Sequence, residues 1–293
     1  MSNPPICNYE GSDYQSSFWD QGGRAYEDAV EEKALQKLLP ASGKLMLELG
    51  AGAGRNTPRY KNYEKIVLLD YSHTQLEQAR DRLGESERYV YVAADVYHLP
   101  FVSNLFDGAT MIRTLHHMAD ARLALAQVAD VLQHRAVFIL EFANKHNLKA
   151  ILRYALKKQT WNPNSPEPVE FAALNFDFHP QTVRSWLNSL DFVLEKTLTV
   201  SHFRMNFFKK VFPLDFLVWM DSAAQLTSEW WQLTPSIFTR SSLKTEKESA
   251  PEGSFFRCPK CGAALQDTPP LLKCPCGQSY PVEGGIYDFR IKS

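Results

Sequence analysis

The 293-residue chain has no apolar run of about 18 residues, the length a membrane-crossing helix needs. It has almost no net charge, −1 at pH 7, so no global field points to nucleic acid or to a membrane surface, and neither is expected as a partner on that ground. Its first residues, MSNPPICNYEGSDY, lack the basic and apolar regions of a secretion signal, so a cytoplasmic location is expected. Internal repeats are absent. Cysteine is scarce outside one short segment: Cys7 stands alone, while Cys258, Cys261, Cys274 and Cys276 cluster. In a chain read as intracellular, that clustering favours a metal site over disulfides. What remains is ordinary for a globular protein, with 44% hydrophobic and 22% charged residues, and is ample for a core.

The apolar pattern divides the chain. Residues 14–39 read as a lead-in and an amphipathic helix, with Ala29, Val30, Ala34, Leu35, Leu38 and Leu39 near helical spacing and a stop at Pro40 and Gly43. From residue 44, short apolar runs alternate with helical stretches: KLMLELG, KIVLLD, RYVYVAAD, FDGATMIRT and AVFILEF read as strands. Between them, SHTQLEQARDRLG and ARLALAQVADVLQ read as helices, the first capped by Ser72 and stopped by Gly84. Such alternation implies an α/β fold, a doubly wound and mostly parallel sheet whose ligands bind at the carboxyl ends of its strands. The rhythm breaks after residue 143, where about 144–235 reads as an insertion or lid. SIFTRSS is a candidate returning strand, residues 242–254 read as a polar linker, and 255–293 as a separate module. Residues 1–241 would then be the main domain.

The glycines of LELGAGAGRNT (47–57) demand a tight turn or a close approach by a ligand. A nucleoside-triphosphate loop is excluded because no lysine follows Gly54. A dinucleotide loop is Gly-x-Gly-x-x-Gly, whereas Gly50, Gly52 and Gly54 bring the third glycine one residue early. Glu48 also precedes the loop; a carboxylate repels a pyrophosphate but attracts a ligand with a cationic amine. Asp70, ending the second strand, stands where a carboxylate accepts from ribose hydroxyls.

With the phrases Glu-x-Gly-x-Gly-x-Gly (48–54), IVLLDYS (66–72), AADVYHLPF (93–101) and FDGATMIRTLHHM (106–118) in that order, residues 45–142 resemble a class I S-adenosylmethionine-dependent methyltransferase of the type 11-like group. The resemblance implies a Rossmann-like sheet, S-adenosylmethionine as methyl donor, and a cofactor site of Glu48, Gly50, Gly52, Gly54, Asp70, Tyr71, Asp95, Val96 and Thr114. Asp95 would meet the adenine amine and Val96 the ring. The lead-in helix resembles that family's cap, with Tyr14, Trp19, Arg24 and Tyr26 as candidates to close over the cofactor. The acceptor stays open: a small molecule is preferred, with RNA or protein, or a non-catalytic binding module, as alternatives. A nicotinamide-dependent reductase is a further alternative.

Methyl transfer from a sulfonium needs position and desolvation more than acid–base help; a base is required only if the acceptor must lose a proton. His116 and His117 are the candidates, beside Arg113 and Thr114 at the end of the fourth strand, with Glu141 and His179 as further candidates. In the insertion, Lys145, Lys149, Arg153 and Lys157 recur every fourth residue, opposite Leu148, Ile151, Leu152 and Ala155. That pattern reads first as the solvated face of an amphipathic helix, and otherwise as a surface for an acidic substrate. The aromatic residues between Phe203 and Trp231 are expected to pack against the sheet or line a pocket.

Cys258-x2-Cys261 and Cys274-x-Cys276, each pair followed by glycine, form a four-thiolate set suited to structural Zn2+. The segment, ending Tyr280-Pro281-Val282-x-Gly284-Gly285-Ile286, resembles the small zinc ribbons that act as activator subunits of, or are fused to, some RNA and protein methyltransferases. It departs from them in its Cys-x-Cys spacing.

Overall fold

The structure is a computed structural model, and it describes residues 4–12, 19, 23–84, 86–246 and 248–291. Tyr14 lies outside the described residues.

The alternation read from the sequence forms β1 (Gly43–Leu49), β2 (Tyr63–Asp70), α2 (His73–Leu83), β3 (Tyr89–Ala93), β4 (Phe106–Met111), α3 (Ala121–Val131) and β5 (Leu132–Ala143), preceded by α1 (Ala25–Leu38). Strands β3, β2, β1, β4 and β5 lie side by side and parallel, in that order. The chain winds outward from β1 through β2 to β3, then crosses back to β4, so the switch in direction lies between β1 and β4. Parallel strands covered on both faces carry nearly continuous apolar runs. Along β2, Ile66 and Leu68 pack into one apolar layer with Val30 and Leu35 of α1, while Val67 and Leu69 pack into the opposite layer with Leu125 and Val128 of α3. Ser72 caps α2 by accepting from the Gln75 amide, 3.2 Å, and Gly84 takes a left-handed φ of 75° at its end.

The insertion contains α4 (Leu148–Ala155), a short hairpin of β6 (Val169–Ala172) and β7 (Asn175–Asp177), α5 (Pro180–Ser189), β8 (Phe192–Val200), α6 (Asn206–Val211) and α7 (Leu214–Ala224). The hairpin and α6 lack a sequence signal because strands of three or four residues and a two-turn helix are too short for periodicity to register. The returning strand is β9 (Ser236–Leu243), which inserts antiparallel between β5 and β8.

Two expectations about the insertion need correcting. Lys145 is not part of an exposed basic stripe: it is buried and donates to Ser165 Oγ at 2.9 Å and to the Glu167 carbonyl. The aromatic run does not pack inward as a whole, because Phe207, Phe212, Phe216, Trp219, Trp230 and Trp231 are exposed.

The C-terminal module joins the main sheet. It consists of β10 (Phe256–Arg257), β11 (Ala264–Leu265), β12 (Leu271–Lys273), β13 (Ser279–Glu283) and β14 (Ile286–Asp288). Strand β14 pairs parallel with β3, so β12, β13 and β14 extend the main sheet to ten strands. Aromatic side chains weld the joint: Phe256 packs against Phe101 and Phe289, with ring centroids 6.0 and 5.0 Å away, and Phe289 meets Tyr280 at 4.9 Å. Among the described residues no helix is long and apolar enough to cross a membrane.

Candidate functional site

A cleft opens at the carboxyl ends of β1, β2, β3 and β4, beside the switch point. The sequence-selected residues Gly50, Gly52, Asp70 and Tyr71 line it, as do Asp95, Val96, Thr114 and His117. Glu48, Gly54 and His116 are not among its lining.

The glycine loop is shaped by its neighbours. Gly50, Gly52 and Gly54 all adopt left-handed φ, at 68°, 52° and 70°. A Cβ on Gly50 would stand 2.1 Å from Thr114 Oγ1, so the loop passes the end of β4 at a distance only glycine permits. Thr114 is tied in turn to the Leu49 and Ile112 carbonyls, at 3.2 and 3.1 Å. Asp70 accepts from the Gly52 amide and the Ser72 amide, each at 2.9 Å, which holds the loop against the end of β2. Burial raises the Asp70 carboxyl above its usual range, while amide hydrogen bonds from Ser72 and Gly52 pull the other way. Asp95 accepts from the Tyr97 amide at 2.9 Å and faces His98 Nδ1 at 3.0 Å. Glu48 lies behind the loop, buried, accepting from Thr57 Oγ1 at 2.6 Å. Burial pushes its carboxyl up to about 7, and the Thr57 and Tyr60 hydroxyls and the charges of Arg55 and Arg59 counter this.

Other elements complete the cleft. The segment Pro5–Tyr9 lies along it as a strap. The strap is anchored by Glu10, whose carboxylate accepts from the His73 and Thr74 amides at the start of α2, both at 3.0 Å. Trp19 also lines the cleft, with two guanidinium groups near its ring: Arg55 sits 3.6 Å and Arg113 5.6 Å from the ring centroid. Both arginines converge on Glu31 of α1, which is fully buried. Arg55 reaches it at 2.9 Å and Arg113 Nε at 2.7 Å. Burial acts to raise the Glu31 carboxyl, yet the two guanidinium groups hold it below the ordinary range. Tyr26 instead belongs to the core between α1 and α7, donating to Asp221 at 2.6 Å, and neither it nor Arg24 lines the cleft.

The histidines after β4 differ. His117 Nδ1 stands 3.0 Å from the Leu174 carbonyl, which can only accept, so Nδ1 carries the proton. Burial lowers the ring's basicity, so it is neutral near pH 7 and Nε2 presents a lone pair. The Tyr9 hydroxyl donates to that lone pair at 3.2 Å. His116 is more deeply buried and 4.0 Å from the His117 ring; burial, then the charges of His117 and Arg113, push its pKa well below the usual value. Glu141 accepts from the Arg113 amide at 2.9 Å and from Ser236 Oγ at 2.6 Å, and burial raises its carboxyl. His179 caps α5 by accepting from the Gln181 amide at 3.2 Å, away from the cleft.

This arrangement, glycine loop on β1 and carboxylates ending β2 and β3, coincides with one sequence family. Residues 47–140 match the model of a methyltransferase domain. The chain is similar to O-methyltransferase cnsE of Penicillium expansum, 37% identical over 111 residues, which are 36% of this chain and 40% of that protein. It is also similar to the ubiquinone/menaquinone biosynthesis C-methyltransferase UbiE of Saccharophagus degradans, 32% identical over 114 residues, 36% of this chain and 46% of the other. The chain thus spans less than half the length of these relatives. Its fold is like that of a chain from the complex between the Haloferax volcanii Trm112 methyltransferase activator and a candidate methyltransferase. The TM-score is 0.56 at 14% identity, over 79% of this chain and 96% of that one.

Outside the methyltransferase-domain segment, the four clustered cysteines meet. Their sulfurs all lie within 4.8 Å of one another, with Cys258 to Cys276 at 3.8 Å and Cys261 to Cys274 at 3.4 Å. Zn–S bonds of about 2.3 Å in a regular tetrahedron set sulfurs about 3.8 Å apart, so the donor set has the size and softness for Zn2+. Gly262 and Gly277 turn the two knuckles with φ of 77° and 88°. Tyr280, which the spacing of the cysteines gave no reason to select, donates its hydroxyl to Cys258 Sγ at 3.0 Å.

Proposed function

We propose that the protein is an S-adenosylmethionine-dependent methyltransferase acting on a small-molecule acceptor, with a structural zinc ribbon built into its sheet. The observation that carries the reading is the convergence of the glycine loop, Asp70 and Asp95 on one cleft at the sheet's switch point. The residues present suit the cofactor better than they suit a dinucleotide. Both arginines of the cleft are already matched by Glu31, and Arg55 also by Asp28, leaving two carboxylates, not cations, at the strand ends.

When bound, S-adenosylmethionine supplies a methyl group on a sulfonium, transferred by in-line displacement with a neutral leaving group. The chain's residues would do the rest. Asp70 would accept from ribose hydroxyls, Asp95 and Val96 would receive the adenine, and the backbone of Gly50–Gly52 with Thr114 would flank the methionine end. Glu48, set behind the loop, would support it rather than meet the amine. His117 Nε2 would take a proton from the acceptor once Tyr9 yields its place. The O- and C-methyltransferases among the relatives support a small acceptor. The four thiolates would hold Zn2+ in a closed site, serving stability and not catalysis.

Calorimetric titration with S-adenosylhomocysteine tests this. The expected affinity is micromolar, about −8 kcal/mol, with no comparable binding of NAD. Asp70→Ala removes a charged acceptor from two hydroxyls and should weaken binding tenfold or more, since such bonds contribute about 1.5–3 kcal/mol. Unchanged affinity in a folded variant would sink the assignment.

A further inference from the structure

The insertion presents an apolar surface to solvent that the cleft does not use. Helix α4 is strongly amphipathic, yet of its residues only Ala150 is buried; Leu152 is 53% exposed and Leu156, at its end, 64%. An amphipathic helix normally turns its apolar stripe inward. The first turn of α4 is joined to a second exposed element, because the Leu148 amide donates to the Leu233 carbonyl at 2.9 Å, beside Trp231 and the 86% exposed Trp230. One helical turn, residues 225–227, joins that loop to α7, whose Phe216 and 67% exposed Trp219 lie ring to ring with Phe212 just ahead of the helix, with centroids 5.6 and 6.1 Å apart. Helix α6 adds exposed Phe207 and Val211. Exposed aromatic and aliphatic groups gathered on this scale within one insertion mark a docking surface.

The charges choose the occupant. Residues 148–160 carry Lys149, Arg153, Lys157 and Lys158 and no acid, and all four are exposed; α6, α7 and the Trp230 loop add exposed Lys210 against Asp215 and Glu229, so the basic charge of the surface lies on α4. This excess is invisible in a net charge of −1 because acids elsewhere cancel it. Apolar residues flanked by lysine and arginine, with Trp and Phe at the apolar margin, are the chemistry of a helix lying in the headgroup region of an anionic bilayer. We propose that α4, the Trp230–Leu233 loop and α6–α7 dock the protein onto an anionic membrane surface. The chain lies on the bilayer rather than crossing it, in keeping with the absence of a spanning helix among the described residues. Lipid binding of this kind is independent of the methyltransferase reading and leaves the cleft residues untouched.

The test is co-sedimentation of the full chain with vesicles of phosphatidylcholine alone and of phosphatidylcholine with phosphatidylglycerol, at low and high salt. Binding to the anionic vesicles that weakens with salt is expected. Lys149→Glu with Arg153→Glu, and separately Trp230→Glu with Leu152→Glu, should each reduce the bound fraction roughly tenfold or more. Circular dichroism and S-adenosylhomocysteine titration check that each variant is folded. The proposal is overturned if the folded protein ignores anionic vesicles, or if the variants bind them as the parent does. It is equally overturned if sedimentation velocity shows a dimer that the same substitutions dissociate, since a second copy then covers the surface.

Discussion

Among single side chains, the two histidines after β4 carry the sharpest pH signature. Both have folded-state pKa values lowered from the usual 6.5 by burial. The unfolded chain therefore takes up protons first. Their contribution to stability is complete above pH 6.5 and is lost as pH falls through the folded-state values. Glu48, pushed up to about 7, and Asp177, pushed up to about 6 by burial and the nearby Glu141, act oppositely, because there the folded chain holds protons the unfolded chain has released. A difference measurement separates these effects. Between about pH 7.5 and about pH 5.5, either side of the imidazole range, His116→Gln should lose less stability to urea than the parent. Equal losses would mean that His116 is not buried as a neutral ring. Position in sequence could nominate His116 and His117 together, but it could not rank them. The Leu174 carbonyl and the Tyr9 hydroxyl that fix the tautomer of His117 come from residues 57 and 108 positions away.

Among the elements, α1 serves as a clamp. Of its apolar stripe, Val30, Ala34, Leu35 and Leu38 are buried and Ala29 and Leu39 partly so, and the stripe alone would place the helix on the sheet. What the spacing did not reveal is Glu31, a carboxylate on the buried side that meets Arg55 beyond the glycine loop and Arg113 beyond β4. The Arg113 partner is 82 residues distant, and no local pattern announces such a pair. Removing one member of a buried ion cluster strands the others. Glu31→Gln is therefore expected to cost about 3 kcal/mol in urea unfolding at neutral pH, and to weaken S-adenosylhomocysteine binding because Trp19, Arg55 and Arg113 all line the cleft. Because the Glu31 carboxyl is held below its unfolded value, the parent should keep this advantage above about pH 4.5 and lose it as pH falls through the folded value. A variant as stable as the parent at neutral pH would show that the clamp is dispensable. Strands β1 to β5 were legible for the opposite reason: each is a local apolar run, and a glycine or an aspartate closes the first three.

Across the whole molecule, the C-terminal module and the cleft are mechanically joined. Phe289 donates its amide to the Ala93 carbonyl at 2.8 Å, and Arg290 reaches Glu10 of the strap at 2.8 Å and lies 6.0 Å from the Tyr71 ring centroid. If the four thiolates hold zinc, a chelator should lower the melting temperature and also weaken S-adenosylhomocysteine binding, and Cys276→Ser should do the same. A melting curve indifferent to chelation in protein shown to contain zinc would mean that the aromatic joint alone holds the module. The sequence announced the cysteines by spacing, but not the module's place in the sheet, because strand pairing between residues 91–93 and 286–288 leaves no local trace.

That pairing also sets the order in which the chain can be finished. Strand β3 gains its outer neighbour only when residues 286–288 have left the ribosome, some two hundred residues after β3 itself. Until then a nascent chain holds an unpaired strand edge beside the apolar ring of Phe101, and edges of that kind recruit other chains. Cutting the gene after residue 241, where composition invites a domain boundary, would make that interval permanent.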